Sequence, residues 1–445
     1  MKLQLLILLL FTYVIYGDPT KEADKAIRAY KPIDESYQKS IAKGKGKEEI
    51  FNSVKKSLDA VFAVADDEKI IKYIINLISD KRTPSAARGY AMRKCVELAS
   101  YGGDLQALGD AIKKEVSGGR ACPQLLDVLA RMKPNDCARA FGRYVQSKDP
   151  ITQMAGLMGL GNSGGISDRS LINTITNLGV GARRHGLRWA CCRALGSSMN
   201  KDAVPGLIKM LKLPGGYKEA RKALIRLTGQ VIDGSNAWAS WWEKNEKTFT
   251  PVDNLELAEE STRALNEENS FYGLEVEGDP IIFLLDASMS MKGEKWEKLK
   301  EESAQMLAGL SYDLDFAVLM FPQLEKTFPD KGYDSDKSAE ATTFINYVEL
   351  KYQTPIGKAT YQALNDHMSG GKNIPDTIYL LTDGRPTDAR AIDELDCIYL
   401  ALFPGNSIRV HTVCIGSDTE MLKKISDEHG GNMVQINVGK KKKKK

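Results

Sequence analysis

The stretch "FLLDASMSM" at residues 283–291 decides the fold. It ends an apolar run, 281–285, which stops at Asp286 and is followed by two serines at alternate positions, Ser288 and Ser290. Asp and Ser are common turn residues, so a simple turn is one interpretation. A metal site is the other, because alternate residues of an extended segment point the same way and would bring three oxygens together.

The surrounding sequence, from residue 279 onward, alternates between short apolar runs and amphipathic segments. Strands are predicted at 280–286, 315–321, 377–382, 408–415 and 433–438, and helices at 294–310, 338–347, 356–368, near 389–401 and at 419–428. This alternation predicts an α/β domain with a doubly wound, mostly parallel sheet over 279–438. In such sheets ligands bind at the carboxyl ends of the strands, beside the point where the strand order reverses.

Two further oxygen-bearing residues are predicted at that edge of the sheet. Asp383 follows the strand "TIYLLT", and Thr354 comes just before the helix that opens at Pro355. With Asp286, Ser288 and Ser290 they form a set of two carboxylates and three hydroxyls. Hard oxygen ligands of this kind favour Mg²⁺, Mn²⁺ or Ca²⁺ and disfavour zinc or copper.

The pattern D-x-S-x-S, then Thr, then Asp in "LLTDGRPT" resembles the metal-ion-dependent adhesion site of von Willebrand factor type A (VWA) domains. The resemblance implies that both serines bind the metal directly. Thr354 would bind it directly or through water, and the two aspartates mainly through water. It also implies an open coordination position for an acidic residue of a protein partner, and no catalytic residues.

One feature departs from the family. VWA domains often have two glycines before the Thr, whereas this chain has Tyr352 and Gln353. Thr360 and Lys358 are therefore competing alignments for the Thr position. "TPIGKA" at 354–359, before an apparent helix, favours Thr354.

Residues 50–245 have the apolar spacing of helices and repeat at a longer period. "MAGLMGLG" at 154–161 aligns with "WACCRALG" at 189–196, 35 residues later, and with "KALIRLTG" at 222–229. Paired helices repeating every thirty-odd residues predict an α-solenoid, here resembling short HEAT-type repeats, with an irregular helical bundle as the alternative. Glycines 161, 196 and 229 suit left-handed helix ends. Trp238, Trp241 and Trp242 share one helical face and are interpreted as a hydrophobic cap on the last repeat.

The remaining segments flank these two regions. Residues 1–17 have the basic start and short apolar core of a signal peptide, which predicts an exported protein, periplasmic or extracellular. An uncleaved anchor and a buried helix are the alternatives. Residues 18–49 are predicted to be a polar helical segment, and 246–278 an acidic linker. The poly-Lys tail, 439–445, is either a solvated tail or a weak contact to anionic surfaces.

Charge, cysteines and motifs narrow the function. Of 62 Lys and Arg, six form the terminal run, which leaves 56 against 58 acidic residues and no sign of specific nucleic-acid binding. The seven cysteines lack C-x-x-C spacing and are predicted to be mostly buried free thiols. No P-loop, zinc-protease or nucleophile motif is present.

The resemblance extends to bacterial exported proteins that join HEAT-like repeats to a C-terminal VWA domain. We therefore expect a non-enzymatic, divalent-metal-dependent protein-binding or adhesion module on a helical-repeat scaffold. The alternative is a scaffold that assembles a complex through the solenoid, with an idle metal site.

Overall fold

The computed structural model describes the chain from residue 18 to residue 437 with short gaps. The described ranges are 18–39, 47–65, 67–100, 106–120, 122–132, 137–163, 165–213, 215–263, 270–310, 314–323, 326–367, 374–384, 386–387, 392–416 and 420–437. The predicted signal peptide and the Lys tail lie outside these residues.

The first part of the described chain is helical. Its helices are α1 (Pro19–Lys39), α2 (Lys47–Phe62), α3 (Glu68–Ser79), α4 (Ser85–Ser100), α5 (Gln106–Ser117), α6 (Pro123–Arg131), α7 (Ala138–Gly142), α8 (Pro150–Ser163), α9 (Arg169–Gly181), α10 (His185–Gly196), α11 (Val204–Met210), α12 (Tyr217–Thr228), α13 (Ser235–Asn245) and α14 (Leu255–Arg263). Four of them, α1, α3, α8 and α9, begin after aspartates whose carboxylates accept from backbone N–H groups of the first turn: Asp18, Asp67, Asp149 and Asp168. This helical region agrees with the predicted all-α part, while its assignment to HEAT-type repeats stays a prediction.

The second part is built on a six-stranded sheet. After a small hairpin of β1 (Ser270–Phe271) and β2 (Leu274–Glu275) come β3 (Ile281–Asp286), α15 (Glu294–Ala308), β4 (Phe316–Phe321), β5 (Thr327–Phe328), α16 (Ser338–Tyr347), α17 (Ile356–His367), β6 (Thr377–Thr382), α18 (Ile392–Leu402), β7 (Arg409–Ile415), α19 (Glu420–Glu428) and β8 (Met433–Ile436). The strand order is β5-β4-β3-β6-β7-β8, parallel except for β5. The order reverses between β3 and β6, where the rule for such sheets places a ligand.

Each face of the sheet is covered by helices. Strands β3, β4, β6 and β7 are buried along their whole length, as their apolar runs predict. One apolar cluster joins one sheet face to α15 and α16, and the other joins the opposite face to α17, α18 and α19. The predicted doubly wound α/β fold is confirmed, and the predicted strands and helices agree closely with those observed.

Helix α18 also belongs to the core of the helical region, because Cys397 and Ile398 are buried within that core. It packs so closely on α4 that a Cβ atom at Gly89 would lie 1.7 Å from the carbonyl oxygen of Cys397. An ion pair between Arg93 and Asp396 joins the same two helices. At the amino end of β6, Arg184 binds Asp376 at 2.7 Å. The helical region therefore holds the sheet domain by one helix and by the amino ends of its strands.

The predicted helix ends are only partly correct. Gly229 has a φ of +67° and ends α12 in the left-handed conformation, as expected. Gly161 and Gly196 instead lie within α8 and α10. They are small because neighbouring helices approach them: a Cβ atom at Gly196 would lie 2.8 Å from the Cβ atom of Ala223. The left-handed prediction was wrong for these two glycines.

Three further predictions concern the cysteines, the tryptophans after the last repeat and the segment 246–278. All seven cysteines are buried thiols outside any disulfide, as predicted. Trp238 is fully buried, and Trp241 and Trp242 pack edge-on against Phe249, which agrees with a hydrophobic cap. The segment interpreted as a linker is divided between the two regions: Ala258 of α14 is buried in the helical core, and the β1–β2 hairpin packs on the sheet core. Among the described residues, no helix is long and apolar enough to cross a bilayer.

Candidate functional site

Asp286 is the innermost residue of the candidate site. It is the last residue of β3 and is 0% exposed. One carboxylate oxygen accepts from the backbone N–H of Ser288 at 2.7 Å, and the other from the hydroxyl of Thr382 at 2.6 Å. Burial raises the pKa of Asp286 to about 6 against the lowering effect of these bonds, and the negative charge of Asp383 adds to the rise. Within the described part of the chain, no cation lies within ion-pair distance of Asp286.

Three more predicted residues form a hydrogen-bonded chain beside it. The hydroxyls of Ser288 and Ser290 are 2.8 Å apart, and Ser290 donates to Asp383 Oδ1 at 2.7 Å. The serines occupy a short turn after β3, in which Met289–Met291 form a 3₁₀ helix. Asp383 directly follows β6, the neighbour of β3. The carboxyl ends of two adjacent strands thus bring these oxygens together, as the sequence predicted.

Thr354 lies in a loop that runs beside the serine turn. The backbone of this loop pairs with the turn, since Met289 N–H donates to Lys351 O at 2.7 Å. Thr354 is buried, and its own backbone N–H donates to the hydroxyl of Thr387 at 2.9 Å. Among the described residues, no hydrogen bond links the Thr354 hydroxyl to the other four residues. The structure therefore places the Thr354 loop at the site, while hydrogen bonds link the other four predicted residues, Asp286 through the backbone N–H of Ser288.

The position of Thr360 disfavours one of the two competing alignments for the Thr ligand. It lies inside α17, is fully buried, and its hydroxyl is 2.5 Å from the Tyr399 hydroxyl, away from the site. Gln353, at a position where VWA domains often have glycine, has a φ of +88°. The backbone here retains a glycine-like conformation although the residue is not glycine.

Two residues of the site, Lys295 and Thr382, were not predicted from the sequence. Lys295, in the first turn of α15, forms an ion pair with Asp383 Oδ2, and its ammonium is 3.4 Å from the carbonyl oxygen of Ser290. Thr382, the last residue of β6, holds Asp286. The signal for Thr382 was its place one residue before Asp383. Lys295 had no such signal, because only the path of the chain after Gly293, where φ is +92°, brings it back over the site.

The donor set fits a small, hard cation. Asp286 and Asp383 are buried side by side, and a positive charge would offset the cost of burying both. The ammonium of Lys295 already supplies one such charge to Asp383. Among the described residues, no group of three or more His, Cys, Asp or Glu side chains could hold a metal, so a cation here depends on hydroxyl oxygens as well. A set of that composition suits Mg²⁺, Mn²⁺ or Ca²⁺.

Fold and site together define an open α/β domain with an oxygen-lined site at its topological switch point. Residues 280–442 match the family model of the von Willebrand factor type A domain, so the chain contains a VWA domain after its helical region. One similar solved structure, a von Willebrand factor type A protein from Catenulispora acidiphila, is 19% identical to this chain. The match covers 37% of this chain and 40% of that one, at a TM-score of 0.31. No curated protein matches the chain.

Proposed function

We propose that this protein is a non-enzymatic, divalent-metal-dependent protein-binding module carried on a helical-repeat scaffold. The presence of a VWA domain, commonly a protein-interaction module, supports the general role. The observation that carries the metal dependence is Asp286, a fully buried carboxylate whose described neighbours are hydroxyl, amide and carboxylate groups. A bound cation would supply the missing charge.

In this proposal each residue has a defined role. Ser288 and Ser290 would hold the cation with their hydroxyls, and Asp286 and Asp383 would supply the negative charge, with Thr354 on the adjoining loop. The cation would serve as a Lewis-acidic anchor for an oxygen of the partner. Because the set brings only two carboxylates to a divalent ion, the site favours an acidic side chain of a protein partner.

Calorimetric titration of Mg²⁺ and Mn²⁺ into the purified chain tests the metal site. The Asp286→Asn variant keeps the shape and loses the charge, so we expect its affinity to fall at least tenfold while its circular dichroism spectrum is unchanged. Asp427→Asn is the matched control, because Asp427 lies on α19 in an exposed pair with Lys423. Equal Mn²⁺ affinity in the Asp286 variant and the parent would refute the metal site.

Partner binding separates the proposal from its alternative. Candidate partners isolated on the immobilised full chain should be released by EDTA and recaptured when Mg²⁺ is restored. Capture that is indifferent to EDTA, yet lost when residues 18–263 are removed, would instead support the helical scaffold with an idle site.

Two parts of the proposal concern the ends of the chain. We propose export, supported by the apolar run of residues 5–16, and sequencing of the mature N-terminus should find Asp18 first. The Lys tail should add weak binding to anionic vesicles at low salt. A chain ending at Val438 that co-sediments equally with such vesicles would leave the tail as a solvated segment.

A further inference from the structure

A second charged site lies far from the candidate metal site, between the helical region and the sheet domain. A cavity of about 750 Å³ opens there. Its cationic lining residues come from α6, α10, α12 and β7 and are Arg131, Arg193, Lys218, Lys222, Arg226 and Arg409. Three carboxylates also line it, those of Glu219, Glu259 and Glu277.

Most of these cations have a carboxylate partner. Some partners lie outside the cavity lining, so the surroundings as a whole are close to neutral. The pairs are Arg226–Asp253 at 2.6 Å, Arg131–Asp127 at 2.9 Å, Lys222–Glu259 at 4.0 Å and Lys218–Glu275. Arg409 takes two carboxylates, binding Glu219 at 3.2 Å and also Glu277. The lining cations and the carboxylates that pair with them are equal in number, but Arg409 takes two of the carboxylates.

Arg193 is the cation left over from this pairing. Among the described residues, no carboxylate lies within 4.0 Å of its guanidinium. Its terminal nitrogen donates to the amide oxygen of Asn162 at 3.1 Å. The guanidiniums of Arg193 and Arg409 both lie over the ring of Trp189, at 6.0 and 4.2 Å from its centroid. Two like charges therefore share one aromatic ring at the cavity wall.

Burial disfavours the positive charge of Arg193 in the absence of an anion. Burial has the largest effect and lowers the pKa of Arg193; Glu219 and Glu259 oppose this lowering, and the positive charges of Arg409 and Arg226 add to it. The side chain also packs against α8, since a Cβ atom at Gly161 would lie 3.1 Å from the Cγ atom of Arg193. A guanidinium that lies beside another cation and faces an open cavity can bind an oxyanion through two parallel N–H groups.

We propose that this cavity binds a small molecule bearing phosphate or carboxylate groups, with Arg193 as its principal anchor. The volume exceeds that of a single inorganic ion and matches a small ligand. Because Arg193 belongs to the helical region and Arg409 to the sheet domain, such a ligand would contact both and strengthen their association.

Calorimetry and thermal unfolding of the full chain in EDTA test this site without reference to the metal. Pyrophosphate and citrate serve as the two probes and distinguish phosphate from carboxylate ligands. We expect at least one of them to bind and to raise the melting temperature. Arg193→Gln should weaken that binding at least tenfold, because it removes a charge-assisted bidentate contact. Arg193→Lys keeps the positive charge but lacks the planar guanidinium. Its affinity for the probe should therefore lie between those of the parent and Arg193→Gln.

Arg169→Gln is the matched control, since that arginine is 78% exposed and lies outside the cavity. It should bind the probe as the parent does. Absence of binding in the parent, or equal binding by the parent and Arg193→Gln, overturns the proposal. If Arg193→Gln is misfolded by circular dichroism, the Lys variant decides the outcome, and unchanged affinity in a folded Lys variant would count against the anchor.

Discussion

Replacing Lys295 by Met should tighten metal binding. The ammonium of Lys295 is paired with Asp383, whose side chain is 1% exposed, and lies beside the carbonyl oxygen of Ser290. A divalent cation bound by Asp383 must therefore compete with a charge that belongs to the protein. Met keeps most of the length of the side chain and removes that charge.

The size of the effect follows from the exposure of the pair. A hydrogen bond to a charged group contributes about 1.5–3 kcal/mol, and partial solvent screening reduces this value. Because the Lys295 side chain is 30% exposed, we take about 1–1.5 kcal/mol as the coupling. This free energy corresponds to roughly tenfold tighter Mn²⁺ binding.

The same coupling predicts a change in stability that depends on the metal. Without metal, Lys295→Met leaves a buried carboxylate unpaired and should unfold more easily than the parent by about 1 kcal/mol. Saturating Mn²⁺ should remove that difference. Calorimetry and chemical unfolding, each with and without Mn²⁺, measure both effects.

Lys300→Met is the matched control for this experiment. Lys300 lies on the same helix, α15, and its ammonium pairs with Glu297 at 2.8 Å instead of with the site. Its replacement should leave Mn²⁺ affinity within about twofold of the parent. If Lys295→Met binds Mn²⁺ no more tightly than Lys300→Met does, the ammonium of Lys295 does not compete with the metal for Asp383.

Three further predictions concern stability. Gln353→Gly should raise the free energy of unfolding by up to about 1 kcal/mol, because glycine adopts a positive φ without strain, although it also increases the entropy of the unfolded chain. A free energy of unfolding below that of the parent, measured in urea, would contradict this. Gly89→Ala should lower the melting temperature by several degrees, since its Cβ would overlap the backbone of Cys397, and an unchanged melting curve would show that α4 and α18 can separate freely. The His429 ring is fully buried beside Arg131, and burial lowers its pKa to about 3. Because the unfolded state takes up a proton below about pH 6.5 and the folded state does not, this residue costs stability as the pH falls. Between pH 7 and pH 5 the parent should therefore lose about 2 kcal/mol more than His429→Leu, and equal losses would exclude His429 as the cause.

The sheet domain was predictable because its signals are local. Uninterrupted apolar runs such as 281–285 are typical of strands buried on both faces, and Asp286 and Asp383 follow two of them directly. Because parallel strands end at the same edge of a sheet, both carboxylates were expected at the carboxyl edge. Thr354 was harder to assign, because its position depends on a loop with an unusual backbone at Gln353.

The structural features that the sequence could not predict depend on contacts between residues that are far apart in the chain. A glycine in a helical pattern suits either a left-handed end or a close helix–helix contact, and only the approach of Ala223 distinguishes Gly196 from Gly229. In the same way, nothing near residue 397 indicates that α18 is shared between two cores. Lys295 reaches the site only because its helix turns back over the sheet.

The two proposed sites lie at opposite ends of the same sheet, and this arrangement determines how they can interact. Arg409 of the cavity begins β7 and pairs with Thr377 at the start of β6, and β6 ends before Asp383 of the candidate metal site. A strand of this length separates its ends by roughly 20 Å. Direct interaction between charges at that distance is largely screened at physiological salt, where the Debye length is about 8 Å. Any coupling between the cavity and the metal site must therefore travel through a shift of the buried strands. Because those strands are packed on both faces, we expect occupation of one site to leave the affinity of the other unchanged.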